Sequence, residues 1–123
     1  MKLQIAQTEG QNTVTAYGDD YVSVNAVRHT TNIIVMPDRI IPAWTDSTST
    51  AMTLADFEQL ASLETEIILL GTGKRLRFPP AEFMRPLIEV RKGLEVMDMQ
   101  AACRTYNVLI SEGRKVAAAL LLA

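Results

Sequence analysis

Three stretches of this sequence carry side chains of types and spacing that do chemistry. In the first, Gly71-Thr72-Gly73 closes an apolar run and leads into Lys74, Arg75 and, one residue on, Arg77. Glycine amides at a strand end, backed by cations, are groups that hold a phosphate or a carboxylate. The carboxyl edge of an open α/β sheet is also where such folds usually bind ligands. The pattern is not a dinucleotide fingerprint, because Leu76 occupies the position of the third glycine. Nor is it a Walker loop: Arg75 stands where a hydroxyl residue belongs, and the two glycines are too close. The next helix start, Pro80, lies too far along to aim its dipole at an anion held by Gly71. The plainer reading is a tight turn, with glycine tolerating positive φ. On that reading the cations are a solvated cluster, with Glu82 or Asp98 as partners.

The second candidate is Cys103, the one thiol, with His29 the one imidazole. At helical periodicity Met99, Ala102, Cys103, Tyr106 and Ile110 share a face. That face is apolar, so the thiol is expected in the core, with a raised pKa and no reactivity. His29 lies in a different half of the chain beside Arg28 and two threonines, and reads as a loop or edge residue. A catalytic Cys–His pair is not expected, and no catalytic residue is assigned. The third stretch is Arg104-Thr105-Tyr106-Asn107. Arg104 and Asn107 flank the buried stripe three residues apart and reach one rim, whereas Thr105 points away, roughly opposite Cys103. A binding rim and an ordinary solvated helix face both fit. Acidic residues are scattered without metal-ligand spacing, so neither metal nor cofactor is expected.

The elements that position these groups fall into two textures. Thr13–Tyr17 and Tyr21–Asn25 flank Gly18-Asp19-Asp20 as a hairpin. Asn32–Met36 and Ile40-Ile41 flank Pro37-Asp38-Arg39 as another. A polar loop from Thr45 leads to Thr53-Leu54-Ala55-Asp56, a capping box with Asp in place of Glu. Leu54, Phe57, Leu60 and Ala61 then follow helical spacing. Ile67–Leu70 and Val116–Leu122 are continuous apolar runs, as in strands buried on both faces. Between them the spacing predicts a helix over Pro80–Lys92, closed by Gly93 and kinked or delayed by Pro86. A short strand Leu94–Met97 follows, then a helix capped by Asp98 that runs to Glu112 and stops at Gly113. The alternation implies an α/β fold, with a mixed, partly parallel central sheet, helices packed on it, and extra antiparallel strands from the N-terminal half.

With 123 residues, residues 1–123 are expected to form one domain. A net charge of −2 and 6% aromatic residues disfavour nucleic-acid binding. Met1–Glu9 shows no secretory signal, and the longest apolar run, Val116–Ala123, is far short of the ~20 residues that span a bilayer. A lone cysteine fits a reducing compartment, so a cytoplasmic protein without membrane insertion is expected.

The ordered strings Ile68–Arg75, Phe78-Pro79-Pro80, Glu95–Asp98, Ala101–Leu109 and Glu112–Leu120 carry a resemblance. Together they resemble a small domain-of-unknown-function family. It is shared by bacterial and archaeal proteins, a human adipogenesis-associated protein and a mitochondrial complex I assembly factor. The resemblance implies a three-layer α/β sandwich, no assigned enzymatic activity, and eukaryotic members that act through protein contacts. The polar positions it carries over are Gly71, Thr72, Gly73, Lys74, Arg104, Thr105, Asn107, Glu112 and Gly113; Pro86 departs from the expected pattern. The function expected is a non-enzymatic binding or assembly module whose partner is another protein or a second copy. The alternative is a site for a small anion, with or without a reaction, at Gly71–Arg75.

Overall fold

A computed structural model describes residues 10–123. The expectation about Met1–Glu9 falls outside them. Two sheets form. The smaller joins β1 (Val14–Tyr17), β2 (Val22–Val24) and β3 (Val27–His29) as an antiparallel meander, with a register shift between Val14 and Ala16. The larger has five strands. Its members are β4 (Ile33–Met36), β5 (Arg39–Pro42), β6 (Ile67–Thr72), β7 (Gly93–Met97) and β8 (Val116–Leu121). Their order is β5-β4-β8-β6-β7, parallel across β8-β6-β7 and antiparallel across β5-β4-β8. Helices α1 (Leu54–Ala61), α2 (Arg85–Glu89) and α3 (Met99–Ser111) complete the chain.

Period-two alternation in the central strands divides the core. Ile33, Val35, Leu69, Val116, Ala118 and Leu120 face α3 and the small sheet. Ile34, Ile68, Leu70, Ala117, Ala119 and Leu121 face the side covered by Phe57, Leu60 and Leu87. A strand buried on both faces must be apolar throughout, which accounts for the runs in β6 and β8. The result is the three-layer α/β sandwich, with the small sheet sharing one outer layer with α3.

Of the two outcomes expected of Pro86, the delayed start holds and the kink does not: a 3-10 turn over Ala81–Met84 precedes α2, and Pro86 sits in its first turn, where a missing N–H costs nothing. Gly93 does not close that helix. Arg91 takes the left-handed conformation at φ 57°, and Gly93 opens β7, donating its N–H to the Glu66 carbonyl.

The capping box forms as expected, with the Asp56 carboxylate accepting from the Thr53 amide at 2.9 Å. It also takes the Thr45 hydroxyl at 2.6 Å and the Ser47 hydroxyl at 2.8 Å. Burial would raise this carboxyl, but the bonds from Thr45, Thr53 and Ser47 together outweigh it and hold the group below its ordinary 3.8. A depressed folded-state pKa stabilises above the unfolded value and is lost as pH falls through the folded one. Acid unfolding of the wild type should therefore steepen below about pH 4. In Asp56→Asn that steepening should shrink, and stability at neutral pH should drop by ~1–2 kcal/mol from the weakened cap. Denaturant midpoints at pH 7 and pH 3 measure both; an unchanged difference between the two would refute the carboxylate's role.

Candidate functional site

The carboxyl ends of β6, β7 and β8 meet the start of α3 at one edge of the sheet. β6 does not end at Gly71 but continues to Thr72, so the expected turn begins two residues later. Gly73, at φ 75°, is the residue that needs glycine's freedom. The Met99 amide at the start of α3 donates to the Gly73 carbonyl at 2.8 Å, and the Asp98 carboxylate caps the helix through the Ala101 amide at 2.8 Å. Thr72 is 2% exposed. Its hydroxyl donates to the Arg75 carbonyl at 2.7 Å and accepts from the Arg77 amide at 3.1 Å, so it folds the loop around itself.

That fold presents five consecutive exposed residues, Lys74-Arg75-Leu76-Arg77-Phe78. Lys74 does not pair with Glu82 or Asp98. Its partner is Asp19, 3.1 Å away in the β1–β2 turn. Both side chains are mostly solvated, so the pair contributes little to stability. It does divide two clefts. One, about 310 Å³, lies between Tyr17 and Asp19 on one wall and Gly73, Lys74, Asp98 and Gln100 on the other. The other, about 580 Å³, is lined by Thr72, Lys74, Arg75 and Arg77 on the loop, by Asp19 and Asp20 of the β1–β2 turn, and by Thr48, Ser49 and Thr50.

Gly73 and Lys74 line the smaller cleft, and Thr72, Lys74 and Arg75 line the larger one; Gly71, Thr72 and Gly73 are themselves buried, and Gly71 lines neither cleft. Arg104, Thr105 and Asn107 line neither cleft. Arg104 is exposed and Thr105 half-buried on α3. Asn107 accepts from the Val14 amide at 3.0 Å and donates to the Val14 carbonyl at 2.8 Å. The side-chain amide thereby acts as a strand neighbour for β1, fastening the small sheet to α3. Glu112 and Gly113 terminate α3, the latter at φ 76°.

Cys103 is fully buried among Met99, Ala102, Tyr106 and Ile110, and burial pushes its thiol up to about 12. It is protonated at neutral pH and shielded from solvent. His29 is half-buried at the end of β3, opposite Val22. Among the described residues no group of three or more His, Cys, Asp or Glu side chains is placed to hold a metal. No helix among them is long and apolar enough to cross a membrane.

Phe78, 73% exposed, and Leu76, at 50%, are not among the chemistry-bearing side chains of the three stretches of the sequence. Their signal was available: two large apolar residues alternate with cations between Gly73 and Pro79-Pro80, outside any helical or strand periodicity. Nothing in that pattern demands burial.

The fold and this edge define a class: a small three-layer α/β domain with a basic, glycine-turned loop over the carboxyl ends of its parallel strands. The chain belongs to the family of proteins of unknown function DUF498/DUF598, whose model matches residues 14–121. It is similar to a Bordetella parapertussis protein of known crystal structure, at 41% identity and a TM-score of 0.83, covering 94% of this chain and 98% of that one. It is also 28% identical over 126 residues to the Bos taurus NADH dehydrogenase [ubiquinone] 1 alpha subcomplex assembly factor 3, covering 98% of this chain and 68% of that protein. A 13 kDa major membrane protein of Francisella tularensis is 38% identical over 56 residues, a match that spans 46% of either chain.

Proposed function

We propose that residues 1–123 form one α/β unit that works as a non-enzymatic binding or assembly module, acting through protein contacts made by Lys74–Phe78. The observation that carries this reading is Phe78: a phenyl ring 73% exposed, beside a half-exposed Leu76, in a segment otherwise cationic. Scattered exposed aliphatic residues are ordinary, but an exposed aromatic next to a second apolar side chain and two arginines has the composition of an interface anchor. The bovine relative, named as an assembly factor, supports the same reading. A buried, protonated Cys103 argues in the same direction, because it removes the obvious nucleophile.

The test is affinity capture from extract of the producing cell with wild type, Phe78→Ser and Arg77→Glu, each checked for an unchanged unfolding midpoint. Loss of an anchor contact of ~2 kcal/mol weakens capture roughly 30-fold. Equal capture by all three rejects the segment as a contact surface, as does capture of nothing at all, further copies of the chain itself included.

A second reading is favoured by the larger cleft, where the three cations Lys74, Arg75 and Arg77 outnumber Asp19 and Asp20 and meet the hydroxyl residues Thr48, Ser49 and Thr50. That lining suits a small anion such as phosphate or a carboxylate, held by the cations and the loop amides. Inorganic phosphate at a hundred times its dissociation constant should add ~2.7 kcal/mol of apparent stability. Melting curves that do not move with phosphate or with carboxylates, while moving normally with denaturant, dispose of it.

A further inference from the structure

The contact surface read above has a counterpart on the same chain. Four residues beyond Phe78, and so at most ~14 Å from it along the chain, Glu82 stands on the edge of a cleft of about 350 Å³. Leu54, Phe83 and Pro86 supply its apolar lining. Its charged rim is Glu58, Glu82 and Glu89, with Arg85 the single cation. Leu54 is 44% exposed, so apolar surface is open to solvent there. The cleft has room for a phenyl ring and carries a net negative rim. The Lys74–Phe78 segment offers a phenyl ring and a net positive flank. Among the described residues, Lys74 alone of its three cations has a carboxylate within ion-pair range.

We infer that the partner of this surface is a second copy of the chain: Phe78 of one copy enters the Leu54–Phe83–Pro86 cleft of the other, and Arg75 and Arg77 face its glutamates. The inference rests on the protein-contact reading and names its partner. Donor and acceptor lie within ~14 Å of each other along the chain, a spacing at which a two-fold axis can satisfy both contacts reciprocally, residue i meeting j and j meeting i. A patch with one basic and one acidic half is self-complementary in that arrangement. The opposed charges also set the register, because a shifted pairing would place like charges together. Neither half suits itself: two Phe78 segments brought together would oppose arginine to arginine.

Sedimentation equilibrium of the purified chain at low salt tests this. The expected mass is twice the 13.6 kDa of one chain. Phe78→Ser, Arg75→Glu/Arg77→Glu and Glu82→Lys/Glu89→Lys should each sediment as monomers with an unchanged fold by circular dichroism. Mixing the two charge-reversed variants should restore the dimer, because each then presents the sign its partner needs. Raising salt to about 0.5 M, where charges are screened within a few ångströms, should weaken the wild-type dimer. A wild type that remains monomeric at every concentration overturns the inference, as does a dimer indifferent to Phe78→Ser or charge-reversed variants that fail to reassociate. Capture of a different protein by a monomeric chain, lost in Phe78→Ser, would leave the contact reading standing and remove this one. Phe78-dependent sedimentation of the monomer with phosphatidylserine vesicles would overturn both.

Discussion

Replacing Tyr106 by alanine should lower the unfolding free energy by ~3–5 kcal/mol, whereas Tyr106→Phe should lower it by only about 1. The ring is fully buried in the middle of α3 and packs in the core between that helix, the small sheet and the central sheet. Its hydroxyl donates to the Asn12 carbonyl at 2.8 Å, and burial, with a smaller contribution from Asp38, raises the phenol's pKa. Truncation to alanine therefore opens a ring-sized cavity at the junction of two layers, and a close-packed interior relaxes only partly around such a void. The phenylalanine variant keeps the volume and leaves one carbonyl without its donor, which is the smaller cost. For a domain stabilised by ~5–15 kcal/mol the alanine variant stands near the edge of folding. Urea unfolding of the three proteins measures the split. Equal losses in the two variants would mean that the hydroxyl, and not the packed ring, ties α3 to the N-terminal strands.

Gly71→Ala should cost ~1–3 kcal/mol for the addition of a single methyl group. A Cβ at that position would lie 2.9 Å from Leu120 Cδ2, 3.0 Å from Ala102 Cβ and 3.3 Å from Met99 Cα. The last is main chain and the second belongs to a helix that packs over β6, so neither can turn aside as a flexible side chain would. The missing side chain is what brings α3 down onto β6. Ala102→Gly removes one of the clashing atoms at the expense of helix propensity, ~1 kcal/mol. The double variant should consequently lose less than the sum of the singles, and that coupling separates a steric cause from a general intolerance of change. Gly73→Ala provides the contrast. Nothing lies within 3.6 Å of its added Cβ, and the cost there, ~1–2 kcal/mol, comes from φ 75° alone. Strict additivity of Gly71→Ala and Ala102→Gly would contradict the close approach.

Much of the scaffold was legible because its signals are local. The runs Ile67–Leu70 and Val116–Leu122 are apolar as strands on a sheet covered on both sides must be, and they supply its central strands β6 and, to Leu121, β8. Asp98 and Gly113 mark the ends of α3 by cap chemistry that needs no distant partner. The face Met99, Ala102, Cys103, Tyr106 and Ile110 is the buried face, as periodicity required. Local signals are weakest where a residue's type does not match its backbone conformation. β3 follows β2 through Asn25 and Ala26, at φ 53° and 66°, and alanine in the left-handed region gives none of the signal that glycine would. Arg91 hid the end of α2 in the same way, leaving Gly93 to be mistaken for its stop. Gly71 and Gly73, two residues apart, have opposite reasons for being glycine: one lies flat beneath a helix, the other turns the chain.

By itself the sequence determined the fold class, the two-sided central sheet and the buried face that carries Cys103, because periodicity, capping and composition act over a few residues at a time; the family resemblance came from the ordered strings between Ile68 and Leu120. Only the tertiary structure decided which polar groups are occupied and which are open. Asn107 meets Val14 across 93 positions of sequence, and Lys74 meets Asp19 across a turn in the other sheet. Those pairings follow from how the layers stack, which spacing along one chain does not encode. The same stacking leaves Phe78 in water beside its arginines.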